Sequence, residues 1–265
     1  MQVRQLEQQT GIALTEQIGK KIYLTDAGEE VFRYARSILQ QVDEMDDVLN
    51  KMKGLSGGQL RIAAISSANY FAPRLLGEFL QRFPDVRVSI DIKRQEHVLK
   101  QVADNEVDMA IMGQPPVGMK IDAIPFMDNP LVIIAHPGHR LAKRKSISLS
   151  QMEKETFLVR EPGSGTRGAM MRFFKGHNID VKTGMELGSL EGIKQGVQAE
   201  LGLGVVPRGA IDIELQLGKL AILNVKGMPI QRHWHVVLNE GKRLSAAAEA
   251  FRRLLVEEAG NLLAA

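Results

Sequence analysis

Residues 54–65 read G-L-S-G-G-Q-L-R-I-A-A-I, and the chain changes character across them. The glycines and the serine make a flexible joint. L-R-I-A-A-I is a short apolar run of the kind that forms a buried strand. Upstream, Val31, Ala35, Ile38, Val42, Met45, Leu49 and Met52 recur at alternating steps of four and three. That is a heptad seam sustained over about three heptads, which predicts a helix roughly 40 Å long that pairs with a partner helix. Downstream, the pattern becomes strand then helix, repeated.

The downstream order starts with helix 71–83, strand V-S-I-D-I, helix 97–104 and strand D-M-A-I-M-G. A second set begins after Pro125 with P-L-V-I-I-A-H. It continues through T-F-L-V-R, a helix after residue 168, G-M-E-L-G, helix 190–201 and L-G-V-V-P. A strand W-H-V-V-L and a helix 245–259 close the chain. Strands alternating with helices predict parallel βαβ units. We read two α/β lobes joined by two crossings, near 124–135 and near 233–238, with a cleft between them. Periodicity leaves a single continuous sheet open.

Ahead of the seam, V-R-Q-L-E-Q-Q-T-G reads as a helix stopped at Gly11. L-T-E-Q-I-G-K-K-I-Y-L-T reads as a small hairpin with Lys20 and Lys21 at its tip. Thr25 is an N-cap for the long helix, with Asp26, Glu29 and Glu30 in its first turn.

The chain of 265 residues has 44% hydrophobic and 25% charged residues, ordinary for a globular protein. It has no cysteine, and its start lacks the apolar core of a secretory signal. A cytoplasmic protein without membrane contact is expected. The net charge is +3, yet residues 1–56 hold seven Lys/Arg against nine Asp/Glu. Charge alone therefore does not point to nucleic acid at the N-terminus.

Two stretches carry binding chemistry. R-E-P-G-S-G-T-R-G, residues 160–168, sets Gly163, Ser164, Gly165, Thr166 and Arg167 at a helix start, where unpaired N–H groups suit an anion. S-S-A-N, residues 66–69, offers Ser66, Ser67 and Asn69 at a helix start in the other lobe. Gly113, Gln114 and the helix cap Ser189 are further lining candidates at strand ends. Each also reads as an ordinary cap or turn residue; convergence on one cleft is what favours binding. The six histidines show no recognised metal spacing, and no G-x-S-x-G elbow is present. No catalytic residue, metal or cofactor is expected.

Several of these segments together resemble the LysR-type transcriptional regulators. V-R-Q-L-E is similar to the second half of that family's recognition helix, and the hairpin with Thr25-Asp26-Ala27-Gly28 resembles its wing and linker-helix start. L-V-I-I-A-H-P-G-H-R-L-A, R-E-P-G-S-G-T-R, M-E-L-G-S-L-E-G-I-K-Q-G-V and L-G-L-G-V-V-P continue the resemblance along the chain. G-K-R-L-S-A-A-A-E-A-F and the G-S-G-T-R-G loop are most similar to regulators of carbon-dioxide-fixation operons.

The resemblance implies a partial winged helix-turn-helix (1–25), a dimerising linker helix and hinge (26–56), and an effector-binding domain (57–265) like a type 2 periplasmic binding protein. Lobe I would span about 57–123 and 239–265, and lobe II about 124–238. It further implies operator DNA as partner, touched here by Gln2, Arg4, Lys20 and Lys21, a small anionic effector, and a homodimer or homotetramer. The chain begins inside the recognition helix of the family pattern, so weak DNA binding with little sequence preference is expected of it. A solute-binding protein of the same fold is the alternative, distinguished by running as a monomer.

Overall fold

A computed structural model of the chain describes residues 2–52, 57–116 and 118–264. Helix α1 (Gln2–Thr10) ends at Gly11, whose φ of +69° is a left-handed cap. Strands β1 (Thr15–Ile18) and β2 (Lys21–Leu24) pair antiparallel with Gly19 and Lys20 in the turn. The Thr25 hydroxyl donates to the Ala13 carbonyl (2.8 Å) and accepts from the Gly28 N–H (3.0 Å), capping α2 (Asp26–Met52). Position 28 has no room for a side chain, since a Cβ would stand 1.9 Å from the Leu14 carbonyl oxygen. Glu7 ties the hairpin to α1 by accepting from the Leu14 and Thr15 N–H groups, both at 2.9 Å. Those bonds hold its carboxyl below the usual range.

Asp26 and Glu29 occupy the first turn of α2, while Glu30 instead pairs with Arg33 at 2.7 Å. Along α2 the apolar seam faces solvent: Ile38 is 60% and Val42 44% exposed, and Met45 and Leu49 are exposed with them. Ala35 is exposed and Val31 half-buried; the side chain of Met52 lies outside the described residues. Of the joint predicted at 54–58, its first three residues also lie outside them.

Lobe I is a five-stranded sheet in the order β4-β3-β5-β12-β6. Its strands are β3 (Gly58–Ile65), β4 (Val86–Lys93), β5 (Met109–Met112), β6 (Ile121–Asp128) and β12 (His233–Asn239). Strand β3 is parallel to both neighbours, as the alternating pattern predicts. Strand β12 runs antiparallel to β5 and β6, because it is the chain's return from the other lobe. Successive residues of β3 and β5 enter opposite cores. Leu60, Ile62, Met109 and Ile111 meet helices α3 (Ala72–Arg82) and α8 (Ala246–Ala264), while Ala63, Ala110 and Met112 meet α4 (Gln95–Ala103). Burial on both faces is why these strands read as continuous apolar runs.

Lobe II has a sheet β10-β7-β11 and a separate parallel pair β8-β9. The strands are β7 (Leu131–Ala135), β8 (Thr156–Arg160), β9 (Lys182–Leu187), β10 (Gly204–Pro207) and β11 (Ala221–Ile222). Strands β10 and β11 flank β7 antiparallel, so the all-parallel expectation fails here. Helices α5 (Gly165–Gly176), α6 (Leu190–Gln198) and α7 (Asp212–Gln216) cover the sheet.

Separate sheets exclude the single-sheet alternative. The lobe boundaries also shift from those expected. Both β6 and β12 hydrogen-bond within the lobe I sheet, so the crossings are the short links 129–130 and 229–232 rather than 124–135 and 233–238. The links are joined where the Asn129 N–H donates to the Arg232 carbonyl (2.7 Å).

Candidate functional site

The cleft between the lobes encloses about 70 Å³, and it lies where small-molecule sites commonly form, between two lobes. Lobe I contributes Ile65 from the end of β3, Ser66 and Ser67 from a short 3-10 turn (Ser66–Tyr70), and Arg94, Gln95 and Glu96 from the start of α4. Lobe II contributes residues 160–166, the turn from β8 into α5. Asn129 and Arg232, one from each crossing, form the floor.

Ser164 sits at the N-cap of α5 with extended backbone, yet its side chain makes no capping bond. Ser164, Gly165 and Thr166 all line the cleft, which sets it beside the positive end of the α5 dipole. The opposing helix start is that of α4, where Gln95 Oε1 comes within 2.9 Å of where a Gly165 Cβ would stand. The sequence placed a helix start at S-S-A-N; these residues instead form their own 3-10 turn, and α3 begins at Ala72.

Arg232 dominates the electrostatics. It is 9% exposed, its Nε has no hydrogen-bond partner, and its Nη1 makes only a long bond (3.3 Å) to the Gly165 carbonyl. Among the described residues it has no carboxylate partner. Burial, with the nearby Arg172 charge second, pushes its pKa down to about 10. The neighbouring Asn129 Oδ1 is also buried and unpartnered.

The other charges are largely spoken for. Arg160 donates to Glu161 through Nε (2.7 Å) and Nη2 (2.8 Å). Burial works against the Glu161 charge, but Arg160 outweighs it and holds the carboxyl below its usual range. This pair is internally neutral, so the floor keeps the uncompensated charge of Arg232, with Arg94 and Glu96 at the rim.

Of the residues expected from the sequence, Ser66, Ser67, Gly163, Ser164, Gly165 and Thr166 line the cleft. Five others do not. Asn69 and Gln114 are exposed away from it. Ser189 caps α6 by accepting from the Gly192 N–H (2.9 Å). Arg167 Nη1 donates to the Arg160 carbonyl (2.8 Å) and to Glu186 (2.6 Å). Gly113 stands behind the floor: a Cβ there would come within 2.2 Å of Arg232 Nη2, so the missing side chain makes room for the guanidinium. Arg232, Asn129, Arg94 and Gln95 went unread because no local motif marks them. The one available signal was polar residues at the crossings, in D-N-P and Q-R-H.

Elsewhere, Gln2, Arg4, Lys20 and Lys21 are exposed on α1 and the hairpin. Among the described residues no helix is long and apolar enough to cross a membrane, and no cluster of three or more metal-ligating side chains occurs.

Comparison with known proteins adds to this geometry. A family profile described as "LysR substrate binding domain" matches residues 53–260. The chain is 46% identical to the RuBisCO operon transcriptional regulator of Allochromatium vinosum over 262 residues, 99% of this chain and 87% of the relative. It is 40% identical to the HTH-type transcriptional activator CmpR of Synechocystis over 94% of this chain and 82% of the relative. Among solved structures, the Synechocystis CcmR regulatory domain in complex with 2-PG superposes with a TM-score of 0.71 at 37% identity. That match covers 76% of this chain and 99% of the other.

Proposed function

The chain belongs to the LysR family of transcriptional regulators, and from that premise we propose that it controls a carbon-fixation operon by sensing a small phosphorylated anion in its interlobe cleft. Arg232 carries the choice of ligand class. A buried guanidinium without a carboxylate is a costly arrangement that an incoming anion relieves. A phosphate matches the guanidinium fork, the free Ser164 hydroxyl and the N–H groups of α5. The CcmR regulatory domain was solved with 2-PG, which makes 2-PG the first probe for this cleft.

The protein acts as a regulator and not as an enzyme: the carboxylate deepest in the cleft, Glu161, is committed to Arg160. It works in the cytoplasm as a homodimer or homotetramer built on the α2 seam, without a cofactor. A solute-binding role is disfavoured by that exposed seam.

Titration calorimetry with 2-PG, sugar phosphates and dicarboxylates tests the reading. Ser66→Ala with Thr166→Val removes two donors to a charged group and should weaken the best phosphate ligand at least about tenfold. An anion that binds both proteins equally would place the site elsewhere.

DNA contact is assigned to Gln2, Arg4, Lys20 and Lys21. The wing lysines neutralise phosphates, so they set salt dependence rather than sequence preference. With Lys20→Gln and Lys21→Gln, the slope of log K against log salt on operator DNA should fall by about two per protomer. An unchanged slope would remove the wing from the interface.

A further inference from the structure

Among the described residues Lys194 is the one buried lysine: it is 3% exposed, on α6 of lobe II, and outside the cleft. Its Nζ reaches Glu214 (2.5 Å), Glu191 (3.0 Å) and the Ala210 carbonyl (3.3 Å), all in lobe II. Burial opposes its charge, but the bonds to Glu214 and Glu191 prevail and raise its pKa above the ordinary lysine value. The ammonium is thus held in place by lobe II groups alone.

What covers it comes from the other lobe. The ring of Tyr70 lies 4.8 Å from Lys194 Nζ, in cation–π range, and the Tyr70 hydroxyl donates to Glu191 at 3.4 Å. Tyr70 closes the same five-residue 3-10 turn that begins with Ser66 and Ser67 on the cleft wall. A turn this short moves as a unit, so the position of Tyr70 sets where the two serines stand. On the α4 side, Gln95 approaches Gly165 and Arg94 approaches Gly188. The lobes therefore meet on both flanks of the cleft.

We propose that Tyr70, seated on Lys194 of the opposite lobe, is a positioning residue that holds the lobes closed without ligand, so that Ser66 and Ser67 already face Ser164 and Thr166 when the anion arrives. Apparent affinity scales with the fraction of molecules in the binding-competent form. Releasing the latch lowers that fraction while leaving every lining residue in place. The inference rests on the cleft being the effector site, but its structural part has its own readout.

The chain has no cysteine, so cysteines introduced in place of Arg87 and Lys182 are the only thiols for spin labels. Both positions are exposed and lie near the ends of β4 and β9 remote from the cleft. In the ligand-free protein, Tyr70→Ala should lengthen and broaden the interlobe distance, and saturating 2-PG should restore it. Affinity for 2-PG should fall five- to tenfold. Tyr70→Phe keeps the ring over Lys194 and should retain most of both properties, with thermal unfolding unchanged in either variant. A ligand-free distance that Tyr70→Ala leaves unaltered would overturn the latch. If wild type binds no phosphate while Tyr70→Ala still opens the lobes, the latch stands and the phosphate reading falls.

Discussion

Arg232→Met is expected to weaken anion binding strongly and, in the same protein, to stabilise the ligand-free fold. The two effects share one cause. A buried cation whose Nε is unpartnered and whose best bond is 3.3 Å long costs stability when the cleft is empty. Methionine fills similar volume without charge, so the empty protein should gain about 1–3 kcal/mol and melt a few degrees higher. Binding should weaken by at least about 30-fold, since the charged partner of a buried pair is typically worth 2 kcal/mol or more.

Thermal melts with and without 2-PG, alongside calorimetry, give both readings. A variant that melts lower and still binds would make Arg232 a structural residue. Burial brings the Arg232 pKa down only to about 10, so the guanidinium stays charged across the working range. The pH dependence of anion affinity is then set by the ligand, rising as a phosphate gains its second charge at about pH 6.

Ile38→Asp with Val42→Asp should dissociate the assembly. In the isolated chain these side chains are 60% and 44% exposed, on a 27-residue helix whose seam residues Ile38, Val42, Met45 and Leu49 all face solvent. An exposed apolar stripe at heptad spacing is stable in water when a second helix buries it. Two carboxylates placed there would be buried on association, so dimer affinity should fall by at least about 100-fold. Sedimentation at low micromolar concentration reads this directly, and an intact dimer would mean that the main contact lies in the effector domain.

Much of this architecture was legible because it is written in local patterns. The seam of α2, the Gly11 and Thr25 boundaries and the wing each depend on residues within a few positions of one another. Strand β3 announced itself as an apolar run because both its faces are covered. The turn at 160–166 was readable for the same reason, since glycine and hydroxyl residues at a helix start state their own backbone geometry. Local pattern alone therefore gave most elements in order, the long helix α2 and one wall of the cleft, while β6, β11 and α7 went unmarked.

Packing between distant segments set the rest. The direction of β12, and with it the position of both crossings, depends on which sheet the chain rejoins, and periodicity carries no direction. Arg232 meets Gly165 across 67 positions of chain, and Tyr70 meets Glu191 across 121. Neither pair has a local signature. Asn69, Ser189 and Arg167 were drawn toward the cleft by their chemistry, but the pitch of a 3-10 turn, a cap bond and a salt bridge aimed them elsewhere. Residue type declares what a side chain is able to bind; only the packing of the two lobes sets what it faces.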